Sequence, residues 1–470
     1  MKIRKIRLSF LLLLGLLLTF VSCTKDDGPD VSSSQPFVVA FENLSASLST
    51  ITTSENIALV YSETTSTNGT VSISINTTNA VYGTDFLTVP AAVGNVITLD
   101  IAPNTSGNNL VFTKLNGNLD ETSEILFTIT SIGYENSQIQ GNSTFTLNNT
   151  ASLGRATAPQ VGGPNQGNQV YIDLSTDTET LAKRDSWDLA FYSGSEFRVG
   201  LNASIYMAAA NLTSYDIDAI SQSDVEDLFP LVAVGTFDPD NIAYIDHPDG
   251  NILRTAIDAI SANDSENPVY LINMGFEVGT ETPETGSVAI AGDARGWKKI
   301  RVLRSGDGYL LQYANLNDTS HQEVVVPKKA THNFNFFSFN SNNLLDVEPP
   351  AEQWDLNFTV FTNIIDGAGS YGFADGVLHN RKAGVSAYEV ITDQIDYEQF
   401  VLGNVNNTLF DADQRAIGSN WRDVFEGVPL SDRFYILKDT NGNIYKLKFL
   451  ALTNDQGVRG YPEFEYELLT

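Results

Sequence analysis

Soft donors able to hold a transition metal are scarce in this chain. There are four histidines, His247, His321, His332 and His379, and two methionines beyond Met1, Met207 and Met274. Imidazole nitrogen and thioether sulfur suit iron, copper or zinc, whereas the abundant carboxylates suit harder cations. One cysteine, Cys23, allows neither an intrachain disulfide nor a Cys/His zinc spacing. Asp246/Asp249 and Asp411/Asp413 have the residue type for acid–base work, but spacing within loops does not supply the geometry. No H-E-x-x-H, G-x-S-x-G or Walker loop occurs. The chemistry-bearing residues therefore point to binding and not to an enzyme.

The cysteine has a different use. Lys2, Arg4, Lys5 and Arg7 precede an apolar run from Leu8 to Val21, which makes residues 1–22 a signal peptide. The run is short for a permanent membrane span. Ser22 directly before Cys23 resembles the lipobox of bacterial lipoproteins, which implies that the Cys23 thiol is diacylated and becomes the new N-terminus. Residues 23–36 are polar and without periodicity, as in a flexible tether. Within them Lys25-Asp26-Asp27 resembles the export signal that sends some lipoproteins to the outer face of the outer membrane. The net charge is −30, or −34 without the four basic residues ahead of Cys23. Such an acidic body excludes nucleic-acid binding and is repelled by anionic head groups, leaving acyl chains as the membrane attachment.

The elements that must position any site carry a repeat. Trp187-Asp188-Leu189-Ala190-Phe191 recurs as Trp354-Asp355-Leu356-Asn357-Phe358. Strand-like segments precede each copy, Val170–Leu174 and Phe336–Phe339, and hairpins follow, one through Asp307-Gly308 and one through Asn441-Gly442. Self-similarity of this kind means two copies of one unit. The units are expected at 164–328 and 329–470, with Trp187 matching Trp354, and Tyr309 matching Tyr445 or its neighbour. Both tryptophans read as core anchors, with Asp188 and Asp355 bonding nearby backbone amides. Short helices are expected at Ser221–Phe229, capped by Ser223 with Glu226, and at Tyr397–Leu402. Gly154–Asn168, dense in Pro and Gly, reads as a linker.

The residues ahead of that linker, 37–151, are rich in Ser, Thr and Asn, with alternating strands such as Val71-Ser72-Ile73-Ser74-Ile75. Together with Tyr82-Gly83-Thr84-Asp85-Phe86 they resemble a Calx-β-like, immunoglobulin-type sandwich. Calx-β domains can bind calcium, but Asp85, Asp120, Glu121 and Glu124 are too few and too separated to form a ligand cluster, so a spacer or interaction module is expected. The fold class expected is all-β throughout.

The ordered set of opening aromatic strand, WD strand, the stretch Arg198–Asn202 and closing hairpin resembles the HmuY family, haem-binding lipoproteins of the bacterial outer membrane. That resemblance implies haem held by axial side chains, with host haemoproteins and an outer-membrane receptor as partners. By repeat position the axial candidates are Met207, just after Arg198–Asn202, and His379 in the matching stretch, with Arg198, Arg381 and Lys382 for the propionates. The plain alternative is a core thioether and a loop imidazole. The reading is a non-enzymatic, lipid-anchored outer-membrane protein, on the cell surface, that binds haem or a related hydrophobic ligand. Its rivals are a surface adhesion or scaffold lipoprotein that binds protein or glycan without haem, and a hydrolase of unrecognised type. If Cys23 carries the anchor, Cys23→Ser gives uncleaved or soluble protein that incorporates no labelled fatty acid, because stable anchoring takes two or more acyl chains. A Cys23→Ser protein that still fractionates with membranes, beside a wild type that takes up no label, would refute lipidation.

Overall fold

The computed structural model describes residues 36–48, 51–115, 119, 122–148 and 152–469. The signal peptide 1–22, Cys23 and nearly all of the tether lie outside the described residues, as do Asp120 and Glu121. From Phe37 onward the chain is built of β-sheets and short 3-10 turns.

The first part is a sandwich of two five-stranded sheets. Its alternation has the expected cause: Val71, Ile73 and Ile75 are buried between the sheets while Ser72 and Ser74 are half-buried on the other face.

Apart from two small ribbons, the described residues of the remainder form eighteen strands in two runs of nine. The first run is β1 (Gly154–Thr157), β2 (Asn168–Asp173), β3 (Thr178–Lys183), β4 (Leu189–Tyr192), β5 (Val199–Leu201), β6 (Ala208–Asn211), β7 (Val269–Asn273), β8 (Trp297–Ser305) and β9 (Gly308–Asn315). The second is β10 (Gln322–Val326), β11 (Phe334–Ser338), β12 (Asn343–Leu345), β13 (Leu356–Ile365), β14 (Gly369–His379), β15 (Ser386–Ile391), β16 (Arg433–Lys438), β17 (Ile444–Thr453) and β18 (Arg459–Leu468). Two small ribbons, 276–278 with 291–294 and 422–423 with 428–429, decorate them.

Strand order shows that the repeats are not separate domains. Two sheets run β6-β7-β8-β9-β10 and β15-β16-β17-β18-β1, and two more run β5-β4-β11-β12 and β14-β13-β2-β3. Each WD strand thus pairs with the opening strand of the other repeat, Leu189 opposite Phe337 and Leu356 opposite Ile172. β1 closes the arrangement by pairing with β18, Gly154 opposite Glu467. The expected boundary between 328 and 329 is corrected accordingly: the repeat exists, but its halves interleave. The expected linker is corrected as well, because its first residues form β1.

The WD aspartates lock the exchange. The Asp188 amide donates to the Phe337 carbonyl at 2.9 Å, and its carboxylate accepts from the Phe339 amide at 2.6 Å. Asp355 does the same across the repeat, to the Ile172 carbonyl at 2.7 Å and from the Leu174 amide at 2.9 Å. Asn202 and Asn380 complete the pattern, each side-chain amide donating to the carbonyl of its tryptophan, at 2.8 Å to Trp187 and 3.0 Å to Trp354. These side chains satisfy backbone groups that are buried where the strands cross.

Alternation along the crossed strands separates three cores. Leu189, Phe191 and Phe337 face the β6–β10 sheet, and Leu356, Phe358 and Ile172 face the sheet containing β15–β18. Tyr171, Trp187, Ala190, Phe336 and Trp354 point the other way, into a central layer between the two WD sheets.

Three local expectations change. By place in the sheet, the hairpin β8–β9 corresponds to β17–β18, so Tyr309 on β9 has its counterpart on β18 and not at Tyr445 on β17. The β8–β9 turn is Gly306-Asp307, with Gly306 at φ +56°, the left-handed region that favours glycine. The two expected helices are pairs of 3-10 turns, Gln222–Asp224 with Glu226–Leu228 and Tyr397–Gln399 with Leu402–Asn404. Nine and six residues are short of what helix nucleation needs, and the cap is Ser221, whose amide donates to Asp224 at 2.8 Å.

Interleaving has a direct consequence for fragments. Residues 329–470 alone lack β1, β2 and β4, the partners of β18, β13 and β11, and leave three sheet edges bare. That fragment is expected to be unfolded and aggregating by circular dichroism and light scattering, and to gain cooperative structure only when co-expressed with 152–328. A folded, monomeric 329–470 would show that the repeats are independent.

Candidate functional site

The central layer is not completely filled. Between the two WD sheets lies a cavity of about 180 Å³ whose wall includes both tryptophans, Tyr171, Phe336, Asn357 and His379. The loop His247–Thr255 lies at its rim with half-buried residues. The aromatic wall is held edge-to-face, Tyr171 on Trp354 with centroids at 5.0 Å and Trp187 on Phe336 at 4.8 Å.

The repeat supplies an internal comparison for each wall residue. The Trp187 indole N–H donates to Gln169 Oε1 at 2.8 Å. Strand register puts Phe334 at the place of Gln169 in the second repeat, and the buried Trp354 Nε1 has no hydrogen-bond partner among the described residues. Asn357 occupies the position of Ala190, and its Oδ1 is likewise unpartnered. His379 occupies the position of Leu201, opposite the first WD-strand residue in each repeat. It is 1% exposed, and neither ring nitrogen makes a hydrogen bond of normal geometry among the described residues, although the Ala412 carbonyl lies near the ring.

The two residues singled out in the sequence are not brought together. Met207 sits five residues after Asn202, as Val385 does after Asn380, and both amides bond back to those asparagine carbonyls. Met207 is buried with Leu189, Ile272 and Tyr309 in the core on the far side of the β4–β11 sheet and does not line the cavity. Its pairing with His379 is corrected: the two are not equivalent positions, and only His379 faces the cavity. Of the other histidines, His247 lines the cavity with Nδ1 3.0 Å from Asp249, while His321 pairs with Asp218 and His332 lies beside Thr331. Arg198 reaches Thr255 and Arg381 reaches the Asp249 carbonyl, leaving Lys382 as the cation on the wall. No group of three or more His, Cys, Asp or Glu among the described residues is placed to hold a metal ion.

The HmuY protein family matches residues 165–466, well over half the sequence. The chain belongs to the HmuY family. The match runs from just before β2 into β18 and so takes in both WD strands, and the interleaved pair, not one repeat, is what corresponds to the family. Comparison with the curated proteins returns no match. Among solved structures, the chain is 14% identical to the apo-form Calx CBD1 domain, covering 24% of this chain and 97% of that one at a TM-score of 0.20. It is 13% identical to CBD12 from CALX1.2, covering 37% and 61% at 0.20. It is 10% identical to a Bacteroides ovatus protein assigned by conjecture as carbohydrate-binding, covering 72% and 96% at 0.16. Among the described residues no helix is long and apolar enough to cross a membrane.

Among the ionisable groups on the cavity wall are Asp246, Glu348, His379 and Lys382, of which only Glu348 is unmarked in the sequence. Glu348 is 6% exposed. It accepts from the Phe334 amide at 2.8 Å, and burial pushes its carboxyl up to about 8 against the pull of Lys382. Burial raises Asp246 to about 6, although the Leu201 and Ala256 amides donate to it. Burial lowers Lys382, opposed by the charges of Glu348 and Asp246. Burial also lowers His379, to about 4, so its imidazole is neutral at physiological pH. The replacement of Ala190 by Asn357 between the WD copies was the one signal in the sequence that could have marked this wall.

Glu348 makes stability depend on pH. Its folded value of about 8 exceeds the ordinary 4.5, so the folded state binds the proton more tightly. The contribution is complete below about pH 4.5 and is lost as pH rises towards 8, by at most ~1.4 kcal/mol per pH unit. Urea unfolding across that window should show Glu348→Gln losing this part of the slope and being more stable than wild type at pH 8. Identical pH profiles would remove Glu348 from the account.

Proposed function

We propose that this HmuY-family chain is a non-enzymatic, lipid-anchored outer-membrane protein that captures a small non-haem ligand in the cavity between its WD sheets. The observation that carries the reading is the set of buried polar atoms on the cavity wall without partners. An unpaired buried donor or acceptor costs about 1–3 kcal/mol, which a bound ligand recovers. Exposure of the protein on the cell surface, expected from the lipobox and from Lys25-Asp26-Asp27, belongs to the same proposal.

Haem, the ligand that family resemblance implies, was measured against this wall. The neutral His379 imidazole is a suitable iron donor. However, Met207 is on the other side of a sheet, and 180 Å³ falls below the roughly 300–1,000 Å³ of clefts for drug-sized molecules, themselves smaller than a porphyrin. The residues as arranged do not fit haem. The free imidazole nonetheless favours haem as the second reading, with host haemoproteins as its source and an outer-membrane receptor as its acceptor.

Haemin titration of the purified protein separates the two. The expected result is weak, unsaturable absorbance change without a sharp Soret shift, the same for wild type, His379→Ala and Met207→Ala. A sharp, saturable Soret shift in wild type that His379→Ala abolishes would establish the haem reading instead.

A further inference from the structure

Resting on the reading of the cavity as a capture site, we infer that its ligand is a neutral sugar ring, held by Trp354, Asn357 and His379. The wall sets the complement required of an occupant. Trp354 Nε1 needs an acceptor and Asn357 Oδ1 needs a donor, and the neutral His379 imidazole, with the Ala412 carbonyl near its ring, still offers a nitrogen that takes a donor. All three side chains are more than nine-tenths buried and line the same space. Hydroxyl groups on adjacent ring carbons both donate and accept, so one pyranose can serve all of these groups. Its C–H faces suit the rings of Trp187, Tyr171 and Phe336.

Other ligand classes match less well. A hydrocarbon or porphyrin edge offers nothing to Asn357 or to the indole N–H. An anion would find one cation on the wall, Lys382, already matched by Glu348 and Asp246, in a chain of net charge −30. A metal ion lacks a donor cluster among the described residues.

The internal repeat argues that the wall is built for occupancy. At the corresponding positions the first repeat has Leu201, Ala190 and an indole satisfied by Gln169. All three departures towards unsatisfied polarity occur in the second repeat, and all open on the one cavity. Water is the competing occupant: at about 30 Å³ each, roughly six molecules would fill the volume.

The test is isothermal titration of the full-length, detergent-solubilised protein with glucose, galactose, mannose, fucose and N-acetylglucosamine, with haemin and leucine as non-sugar probes. At least one sugar should bind saturably. Asn357→Ala and Trp354→Phe should each weaken it about ten-fold, the scale of one hydrogen bond, and Met207→Leu should leave it unchanged. Circular dichroism of each variant checks folding, and Trp354→Phe keeps the ring should Asn357→Ala fail to fold. Saturable binding of leucine, with none of a sugar, would overturn the sugar assignment and leave the capture site standing, whereas saturable haemin binding without sugar binding would overturn the non-haem reading as well. Sugar binding unaffected by both variants would overturn the assignment to this wall. No binding of any probe would overturn both and leave a cavity filled by water.

Discussion

Crossing of the WD strands into the opposite repeat is the constraint on which the rest of the structure depends. It puts Asp188 and Asp355 at the two points where the chain passes between halves, and each aspartate holds the other repeat's opening strand by its amide and its carboxylate. With the strands exchanged, their inner faces can meet only each other, and that meeting produces the aromatic layer and its cavity. The cavity is therefore a property of the duplication and of neither copy.

The two crossings are electrically unequal. Asp188 is fully buried but faces Arg295 at 2.6 Å, itself only 3% exposed. Among the described residues Asp355 has no cation in the equivalent place. Burial raises its carboxyl well above the ordinary range, and the neighbouring Asp173 and Asp439 raise it further. Burial raises the Asp188 carboxyl too, but there the Arg295 guanidinium pulls against it, and removing one partner of such a buried pair costs about 3–5 kcal/mol, whereas at Asp355 the Leu174 amide is what opposes burial. The same motif is satisfied by two different chemistries, which is how a repeat survives divergence of its surroundings.

Much of this was legible in the residues. Alternating Val71-Ser72-Ile73-Ser74-Ile75 fixes a half-buried strand, and the paired WD segments mark the strands that matter most. Pattern reports which face of a strand is buried but not which partner it meets, so Val170–Leu174 and Phe336–Phe339 read equally well in either repeat and the exchange was invisible. Repeat position in the sequence sets Met207, just after Arg198–Asn202, against His379 in the second unit's stretch, whereas the structural frame runs through Asn202 and Asn380. In that frame Met207 matches an apolar Val385. The buried glutamate and the unpaired indole arise from contacts between segments far apart in sequence, which no local spacing encodes.

The pairing of β1 with β18 carries one more implication. The Leu468 amide donates to the Leu153 carbonyl at 3.0 Å, so the last strand finishes beside the point where the double repeat starts. The body is topologically a ring, opened at one place, with an equivalent seam where β9 turns into β10. Joining 469 to 152 and reopening the chain at that seam would exchange the names of the halves without altering a single sheet. A nick at the seam would likewise leave the two pieces clasped, since each contributes strands to sheets of the other.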